Sequence, residues 1–221
     1  MFTSKASQRT AFPDRRPLLY YITDRRQLTG ISLIACMERA VEWGVDFIQI
    51  REKDLPDRKL FELTRKAVSL IRGTGCKVLV NGRADIAMAA GAQGVHLPSV
   101  GLRARDIREW LPDGFLVGES IHTLRELRRA CDQNVDYVLL GHVFPTESKQ
   151  KYGSPLGLDF LKKICANASL PVFALGGMKA ESIEPVLETG AVGIAGIGLF
   201  QKRAEFSKLL PNIGSSRNPS S

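Results

Sequence analysis

Short apolar runs alternate along the chain with longer segments in which apolar residues recur every three or four positions. The runs are at most eight residues long and nearly continuous in apolar character, as strands covered on both faces of a parallel sheet are. We count eight of them, at residues 18–23, 46–51, 77–81, 94–98, 115–121, 137–144, 171–177 and 193–200. The pattern therefore predicts eight buried strands separated by amphipathic helices.

The segments between the runs carry patterns that are typical of helix starts. Asp57 is placed to cap a helix. The apolar stripe of that helix is Leu60, Leu63, Ala67, Leu70 and Ile71. Thr123 is followed three residues later by Glu126, which is the spacing of a capping box, and Leu124 and Leu127 would form the apolar side of the helix that it opens.

A helix-end residue recurs before alternate strands, namely Gly44, Gly91, Asn134 and Gly190 before the second, fourth, sixth and eighth runs. Glycine and asparagine adopt the left-handed conformation that commonly ends a helix. The repeat predicts a single α/β domain with the architecture of a (β/α)8 TIM barrel over residues 17–210, with flexible tails at 1–16 and 211–221. A doubly wound open sheet is the main competitor, and no GxGxxG motif follows the first strand to support it.

Composition narrows the class of protein. Hydrophobic residues make up 44% and charged residues 24% of the 221 positions, which is typical of a folded chain. The longest apolar run, at residues 191–200, is too short to span a bilayer, so we expect no membrane partner. The four cysteines form no CxxC pair, which predicts reduced thiols in a cytoplasmic protein.

The net charge of +8 does not indicate nucleic-acid binding. About half of the excess positive charge lies in the two predicted tails, and no basic block is interleaved with aromatic residues. The mild excess that remains suits small substrates that carry phosphate or carboxylate groups.

Several candidate functional residues lie at the predicted carboxyl ends of the strands, where TIM barrels hold their active sites. They are Gln49, Arg51 and Lys53 on the second strand, Asn81 on the third, His96 on the fourth, Ser120 and His122 on the fifth, and His142 within the sixth. His96 and His142 are also compatible with a purely structural role in the core. His122 precedes the capping Thr123, which would turn its ring into the mouth of the barrel as a proton-transfer group.

Glycines predict a phosphate site. Gly176 and Gly177 end the seventh strand, and Gly196 and Gly198 lie within the eighth. Barrel enzymes commonly bind phosphate in the loops after these strands through backbone N–H groups that a ligand can approach closely, although tight packing also requires glycine. The loop after the sixth strand adds the hydrogen-bond donors Thr146, Ser148 and Lys149.

The motifs together resemble the family of thiamine-phosphate synthases and the related TenI proteins. The resemblance rests on ITDR at 22–25, QIREKD at 49–54, GVHL at 94–97, SIHT at 120–123, GHVFPTESK at 141–149 and ALGGM at 174–178. It implies a TIM barrel that joins an aminopyrimidine diphosphate to a thiazole phosphate or its carboxylate, with release of diphosphate.

The resemblance also implies roles for individual residues. Gln49, Arg51, Lys53 and Asn81 would hold the pyrimidine diphosphate, and Ser120 would meet the diphosphate. Thr146, Ser148 and Lys149 would bind the thiazole carboxylate and the diphosphate, while Gly177 would bind the thiazole phosphate. Lys53 and Lys149 would be the catalytic cations.

Two departures from the family pattern concern its Mg²⁺ cofactor. Where synthases carry their two magnesium-binding aspartates, this chain has Gly82 and Gly101. We expect a synthase whose metal ligands are unknown. The alternative is a metal-free TenI-like thiazole tautomerase with His122 as its acid and base, and a third possibility is a non-catalytic regulator that binds a thiazole or thiamine phosphate. Apolar helix faces are compatible with a homodimer.

Overall fold

A closed barrel of eight parallel strands forms the centre of the molecule in a computed structural model, which describes residue 12, residues 17–146 and residues 154–209. The strands are β1 (Leu18–Ile22), β2 (Phe47–Ile50), β3 (Lys77–Asn81), β4 (Gly94–Leu97), β5 (Leu116–Ile121), β6 (Tyr137–Gly141), β7 (Val172–Leu175) and β8 (Gly193–Gly196). Each strand pairs with the next along the chain, and β8 pairs with β1 to close the barrel. The predicted TIM barrel is confirmed.

Helices lie outside the barrel. In the described part of the chain they are α1 (Leu33–Glu42), α2 (Asp57–Leu70), α3 (Ala84–Ala90), α4 (Ala104–Ile107), α5 (Leu124–Asp132), α6 (Gly157–Asn167), α7 (Ile183–Glu188), α8 (Gly198–Gln201) and α9 (Arg203–Ser207). No described helix has both the length and the apolar character needed to cross a membrane.

The predicted helix signals are confirmed with one correction. The Thr123 hydroxyl accepts a hydrogen bond from the Glu126 N–H and caps α5. Asp57 does not cap α2, because Pro56 precedes the helix and Asp57 is its first residue, where the carboxylate binds Arg83 instead. A carboxylate in the first turn still interacts favourably with the positive end of the helix.

The repeated helix-end residues all adopt the left-handed conformation that their types suggest. The φ angle is +74° at Gly44, +75° at Gly91, +56° at Asn134 and +93° at Gly190. Each of these residues therefore reverses the chain so that the next strand begins within three residues.

Three predicted strands are too long at their carboxyl ends. β6 ends at Gly141, so His142 follows the strand, and β8 ends at Gly196, so Gly198 is not in the strand and begins α8. β7 likewise ends before Gly176 and Gly177. Apolar character did not locate these ends, because Val143 and Phe200 stay buried after the strand has finished.

Apolar side chains fill the amino-terminal half of the barrel interior. Side chains of alternate strand positions form this cluster, which includes Tyr20, Phe47, Tyr137 and Phe173. Phe12 packs against three of these rings, with centroid distances of 5.6, 6.0 and 6.4 Å to Phe47, Tyr137 and Phe173. A second and larger cluster lies between the strands and the helices. The polar site therefore lies at the opposite, carboxyl-terminal end of the barrel.

Candidate functional site

Four neighbouring strands each contribute one polar side chain to the upper interior of the barrel. Gln49 comes from β2, Asn81 from β3, His96 from β4 and Ser120 from β5. Gln49 Nε2 donates to Asn81 Oδ1 at 3.0 Å, and His96 Nε2 lies 2.8 Å from Ser120 Oγ. The structure thus brings these predicted site residues together in two hydrogen-bonded pairs.

Two tyrosines connect the pairs. The Tyr20 hydroxyl donates to Gln49 Oε1 at 3.2 Å and lies 2.8 Å from the Tyr137 hydroxyl, which in turn lies 3.2 Å from His96 Nδ1. One continuous row of hydrogen bonds therefore runs from Asn81 to Ser120, and we call these six residues the polar row.

Sequence reasoning missed Tyr20 and Tyr137, which it counted only as members of apolar runs. The sequence feature that could have indicated Tyr137 is Gly118, since a glycine inside a strand often marks a close approach by another group. A Cβ at Gly118 would overlap the phenol of Tyr137. Gly118 therefore provides the space for the phenol that connects the two halves of the polar row.

His96 is neutral at ordinary pH. Its ring is only 1% exposed, and burial, with a smaller contribution from the charge of Arg51, lowers its pKa to about 3. A cation in this position would lose its hydration without gaining a carboxylate partner. The ring can therefore donate one hydrogen bond and accept another, but it carries no charge.

Two cationic residues follow Gln49 on the loop after β2, where a buried carboxylate lies between them. Arg51 is half-buried and Lys53 is exposed, whereas Glu52 is 4% exposed. The Glu52 carboxylate accepts hydrogen bonds from the backbone N–H of Arg25 at 3.1 Å and from its guanidinium at 2.9 Å. This contact joins the loop after β1 to the loop after β2 and holds Arg51 and Lys53 beside the polar row.

A cavity of about 320 Å³ lies next to these cations at the mouth of the barrel. Its lining includes Lys53, Asn81, Gly82, Arg83 and Pro98. The lining also includes the carboxylates of Glu52 and Asp57, which are bound by Arg25 and Arg83. The amide of Asn81 and the ammonium of Lys53 suit an anionic ligand that also bears hydrogen-bonding ring atoms.

The donor atoms at this mouth do not fit a magnesium ion. Gly82 and Gly101 supply no carboxylate, and no cluster of three or more potential metal ligands occurs in the described ranges. The acids that could replace them already have partners: Asp85 and Asp57 bind Arg83, Asp54 binds Arg25 and Arg26, Glu119 binds Arg129, and Asp24 caps the turn at Arg25–Gln27. Mg²⁺ in proteins is usually held by one or two carboxylates together with substrate phosphate oxygens and waters, and each of these carboxylates already has a partner.

The glycines after β7 are required by packing. A Cβ at Gly177 would lie 2.5 Å from the Pro145 carbonyl oxygen, and one at Gly176 would lie 2.5 Å from the Cβ of His142. Backbone hydrogen bonds from Val143 and Phe144 to Leu175 and Gly176 hold the loop after β6 in this position. The loop that leads to Thr146 is therefore pressed against the end of β7.

The glycines of β8 and α8 differ from those after β7. A Cβ at Gly196 would make an ordinary contact with Leu199, and one at Gly198 would meet nothing within 4 Å. The start of α8 therefore has open space that a bound group can occupy. The predicted site residues Ser148 and Lys149 lie outside the residues that the structure describes.

His122 lies at the end of β5 but outside the polar row. Its side chain is 48% exposed, and its ring Nδ1 lies 3.7 Å from Glu126 Oε2. The same carboxylate accepts a hydrogen bond from the His122 backbone N–H at 2.6 Å. His142 is half-buried against the loop of Gly176.

Known proteins resemble this chain over nearly its whole described length. A family model described as thiamine monophosphate synthase matches residues 19–200. A Geobacter sulfurreducens protein provisionally named a thiamine-phosphate synthase is 46% identical over 177 residues, which are 80% of this chain and 83% of that protein. A thiamine-phosphate synthase of Clostridium novyi is 36% identical over 198 residues, which are 88% of this chain and 97% of that one.

A solved structure agrees with the sequence comparisons. The thiamine phosphate pyrophosphorylase from Pyrococcus furiosus superposes with a TM-score of 0.79 at 30% identity, and the match covers 89% of this chain and 95% of that one. The similarity therefore extends over the whole barrel and confirms the resemblance that the motifs indicated.

Proposed function

The chain belongs to the thiamine monophosphate synthase family, and on that premise we propose that it joins an aminopyrimidine-methyl diphosphate to a thiazole phosphate. The C–O bond between the pyrimidine methylene and the diphosphate breaks, and the thiazole nitrogen forms the new C–N bond. The products are thiamine phosphate and diphosphate. The observation that carries the proposal is the position of two cations beside the polar row: Lys53 lines the same cavity as Asn81, and Arg51 lies close enough to His96 for its charge to lower the pKa of that ring.

Gln49 and Asn81 would bind the aminopyrimidine ring. Their amides offer both donors and acceptors, which matches an exocyclic amine next to ring nitrogens. The hydrogen bond between the two amides fixes their orientation before the ligand arrives. A preorganised pair of this kind costs less conformational entropy on binding than two free side chains would.

Arg51 and Lys53 would hold the diphosphate. Negative charge grows on this group as the C–O bond breaks, so cations that are already in place stabilise the transition state more than the ground state. Arg51 also suits bidentate contact with phosphate oxygens. Ser120 lies at the far end of the same polar row and would contact a diphosphate oxygen.

The thiazole phosphate would bind across the loops after β6, β7 and β8. Gly177 lies against Pro145, the neighbour of Thr146, where the loops after β6 and β7 meet. The space at Gly198 would admit a phosphate close to the backbone. Ser148 and Lys149, whose roles come from the family resemblance, would complete this end of the site. We assign His122 to the alternative tautomerase reaction and not to the coupling step, because its ring lies outside the polar row beside Glu126.

The test is a coupling assay on purified protein with the two substrates. We expect Arg51→Ala to lower kcat/KM by roughly ten- to a hundredfold, because a hydrogen bond to a charged group contributes about 1.5–3 kcal/mol. Lys59→Ala is the matched control, since Lys59 is exposed on α2 and pairs with Glu62. Equal rates for the two variants would contradict the assignment of the diphosphate to Arg51.

The assay also separates the proposal from its alternative. A protein that aromatises a thiazole carboxylate phosphate but forms no thiamine phosphate, and that loses this activity in His122→Ala, would be a tautomerase. That result would replace the proposed function.

A further inference from the structure

The directions of the hydrogen bonds in the polar row follow from the orientation of the two side-chain amides at one end of it. Gln49 Nε2 donates to Asn81 Oδ1, so the other amide atom of Gln49, Oε1, is the one that faces Tyr20. A carbonyl oxygen accepts and cannot donate. The single hydrogen of the Tyr20 hydroxyl is therefore used on Gln49.

The assignment continues through the second tyrosine. Because Tyr20 has no further hydrogen, Tyr137 must be the donor in the 2.8 Å contact between the two hydroxyls. The hydrogen of Tyr137 is thereby used as well, so in the 3.2 Å contact between Tyr137 and His96 the donor must be His96 Nδ1. A neutral imidazole with its hydrogen on Nδ1 has a lone pair on Nε2, so the Ser120 hydroxyl donates to Nε2 at 2.8 Å.

We propose that Tyr137, supported by Tyr20, is a positioning residue that fixes the tautomer of His96 and, through it, the direction of the Ser120 hydroxyl. The proposal requires that the phenol of Tyr137 and the imidazole of His96 are both neutral. Burial raises the pKa of Tyr137 well above its usual value and keeps that of His96 far below neutrality. Both side chains are almost completely buried, so a change of tautomer would leave one nitrogen facing a group of the wrong type.

The fixed tautomer has a consequence for ligand binding, which rests on the proposed function. When the hydroxyl hydrogen of Ser120 points toward His96, the Ser120 oxygen offers only lone pairs to a ligand at the mouth of the barrel. A diphosphate oxygen accepts hydrogen bonds, so Ser120 can bind it only by taking its hydrogen away from His96. The tautomer that Tyr137 enforces therefore weakens the contact between Ser120 and the diphosphate in both substrate and product, and a weaker contact favours release of the product.

The direct test is nuclear magnetic resonance of protein labelled with ¹⁵N in its histidines, since the protonated and unprotonated ring nitrogens have different chemical shifts. His96→Asn identifies the His96 signals among the three histidines. We expect wild-type His96 to be the Nδ1–H tautomer and Tyr137→Phe to show a mixture. Tyr21→Phe is the matched control, because Tyr21 is equally buried but contacts Cys36 and Gln201 outside the polar row.

Tyr20→Phe provides a second variant, which keeps the ring beside His96 and removes only a hydroxyl that binds Gln49 and Tyr137. Without Tyr20 as an acceptor, Tyr137 is free to donate to Nδ1, so the tautomer should move toward Nε2–H. An Nε2–H tautomer in the wild type, or the wild-type tautomer in both Tyr137→Phe and Tyr20→Phe, would overturn the proposal. This measurement needs no substrate, so it stands apart from any failure of the proposed function.

The binding of inorganic diphosphate, measured by calorimetry, tests whether the His96 tautomer controls ligand binding through the Ser120 hydroxyl. Because Tyr137→Phe frees His96 to donate to Ser120, the variant should bind diphosphate roughly three- to tenfold more tightly than the wild type and Tyr21→Phe. A residue that only supported the fold would weaken binding when removed. A shifted tautomer with unchanged or weaker diphosphate binding would overturn the step from His96 to Ser120.

Discussion

Burial separates the roles of histidines that looked alike in the sequence. His96 and His122 both lie near the carboxyl ends of strands, yet His96 is enclosed in the barrel and His122 is half exposed. Desolvation keeps His96 uncharged, so it relays hydrogen bonds without carrying a proton to solvent. The His122 backbone N–H instead donates to the Glu126 carboxylate in the first turn of α5.

The stability of the fold should depend on pH through His96. The pKa of His96 in the folded protein, about 3, lies below the ordinary value of 6.5 that applies to the unfolded chain. The unfolded state therefore binds more protons in this range, and the free energy of unfolding falls as the pH falls. Between about pH 7.5 and about pH 5 the loss from this group is about 2 kcal/mol.

Urea unfolding of the wild type and of His96→Asn at both pH values would measure this effect. The asparagine variant, which has no titrating ring, should show a smaller decrease by about that amount. Equal decreases in the two proteins would mean that His96 is protonated in the folded state.

Two glycines near the phosphate site should respond differently to the same substitution. Gly177→Ala places a methyl group against the Pro145 carbonyl at a φ of +67°, so we expect a loss of stability of about 2 kcal/mol or more. Gly198→Ala adds a methyl group in open space, so its melting temperature should stay near that of the wild type while the KM for the thiazole phosphate rises. Thermal unfolding together with steady-state kinetics distinguishes them, and a stable Gly177→Ala would refute the packing role.

At the scale of elements, the ends of β1 and β2 act as one unit. Glu52 is buried and binds the backbone and side chain of Arg25, so the loop that carries Arg51 and Lys53 cannot move independently of the loop after β1. Glu52 is buried, whereas its neighbours Arg51 and Lys53 are half-buried and exposed. The anchoring residue and the binding residues therefore belong to the same short motif.

Removal of this anchor should affect the pyrimidine end of the site. We expect Glu52→Ala to raise the KM for the pyrimidine diphosphate severalfold and to leave the KM for the thiazole phosphate unchanged, because only the loop after β2 loses its support. Glu62→Ala is the control, since it breaks an exposed ion pair with Arg58 on α2. An equal rise in both KM values would indicate a general loss of structure.

The loops after β3 and β4 have room for the carboxylates that the family pattern places there. A Cβ at Gly82 would lie 3.9 Å from Pro98 Cδ, and one at Gly101 would lie 3.8 Å from Pro98 Cγ, so both positions border the same proline. The φ angles of +70° and +128° make any side chain strained, most of all at Gly101.

Restoring both carboxylates should therefore create a cation site at a cost in stability. We expect the double variant Gly82→Asp/Gly101→Asp to bind Mg²⁺ in calorimetry more tightly than the wild type and to melt at a lower temperature. Wild-type affinity in the double variant would show that the two loops do not bring these positions together.

At the scale of the whole molecule, the barrel divides into two ends. Aromatic and aliphatic side chains, with Phe12 among them, fill the amino-terminal end, and the cations occupy the carboxyl-terminal end. The hydroxyl groups of Tyr20 and Tyr137, whose rings belong to the apolar cluster, join it to the rest of the polar row. This division agrees with the general behaviour of TIM barrels, in which one face stabilises the fold and the other carries the chemistry. The predicted domain limits at 17 and 210 remain predictions.

The sequence by itself determined the order of strands and helices and the closed barrel, because continuous apolar runs and the left-handed residues Gly44, Gly91, Asn134 and Gly190 are local features. It also determined the family, through motifs that are local as well. It misplaced the ends of β6, β7 and β8, since Val143 and Phe200 remain buried beyond those strands.

Only the tertiary structure decided how the site is connected. Tyr20 and Tyr137 are 117 residues apart in sequence, and Gln49 pairs with an asparagine 32 residues away, so no local pattern could show that one row of hydrogen bonds joins them. The same holds for the neutral state of His96, which depends on burial by neighbouring strands. Contacts between residues distant in sequence exist only after the barrel has closed. The donor-to-acceptor direction of the hydrogen bonds in the polar row depends on those contacts.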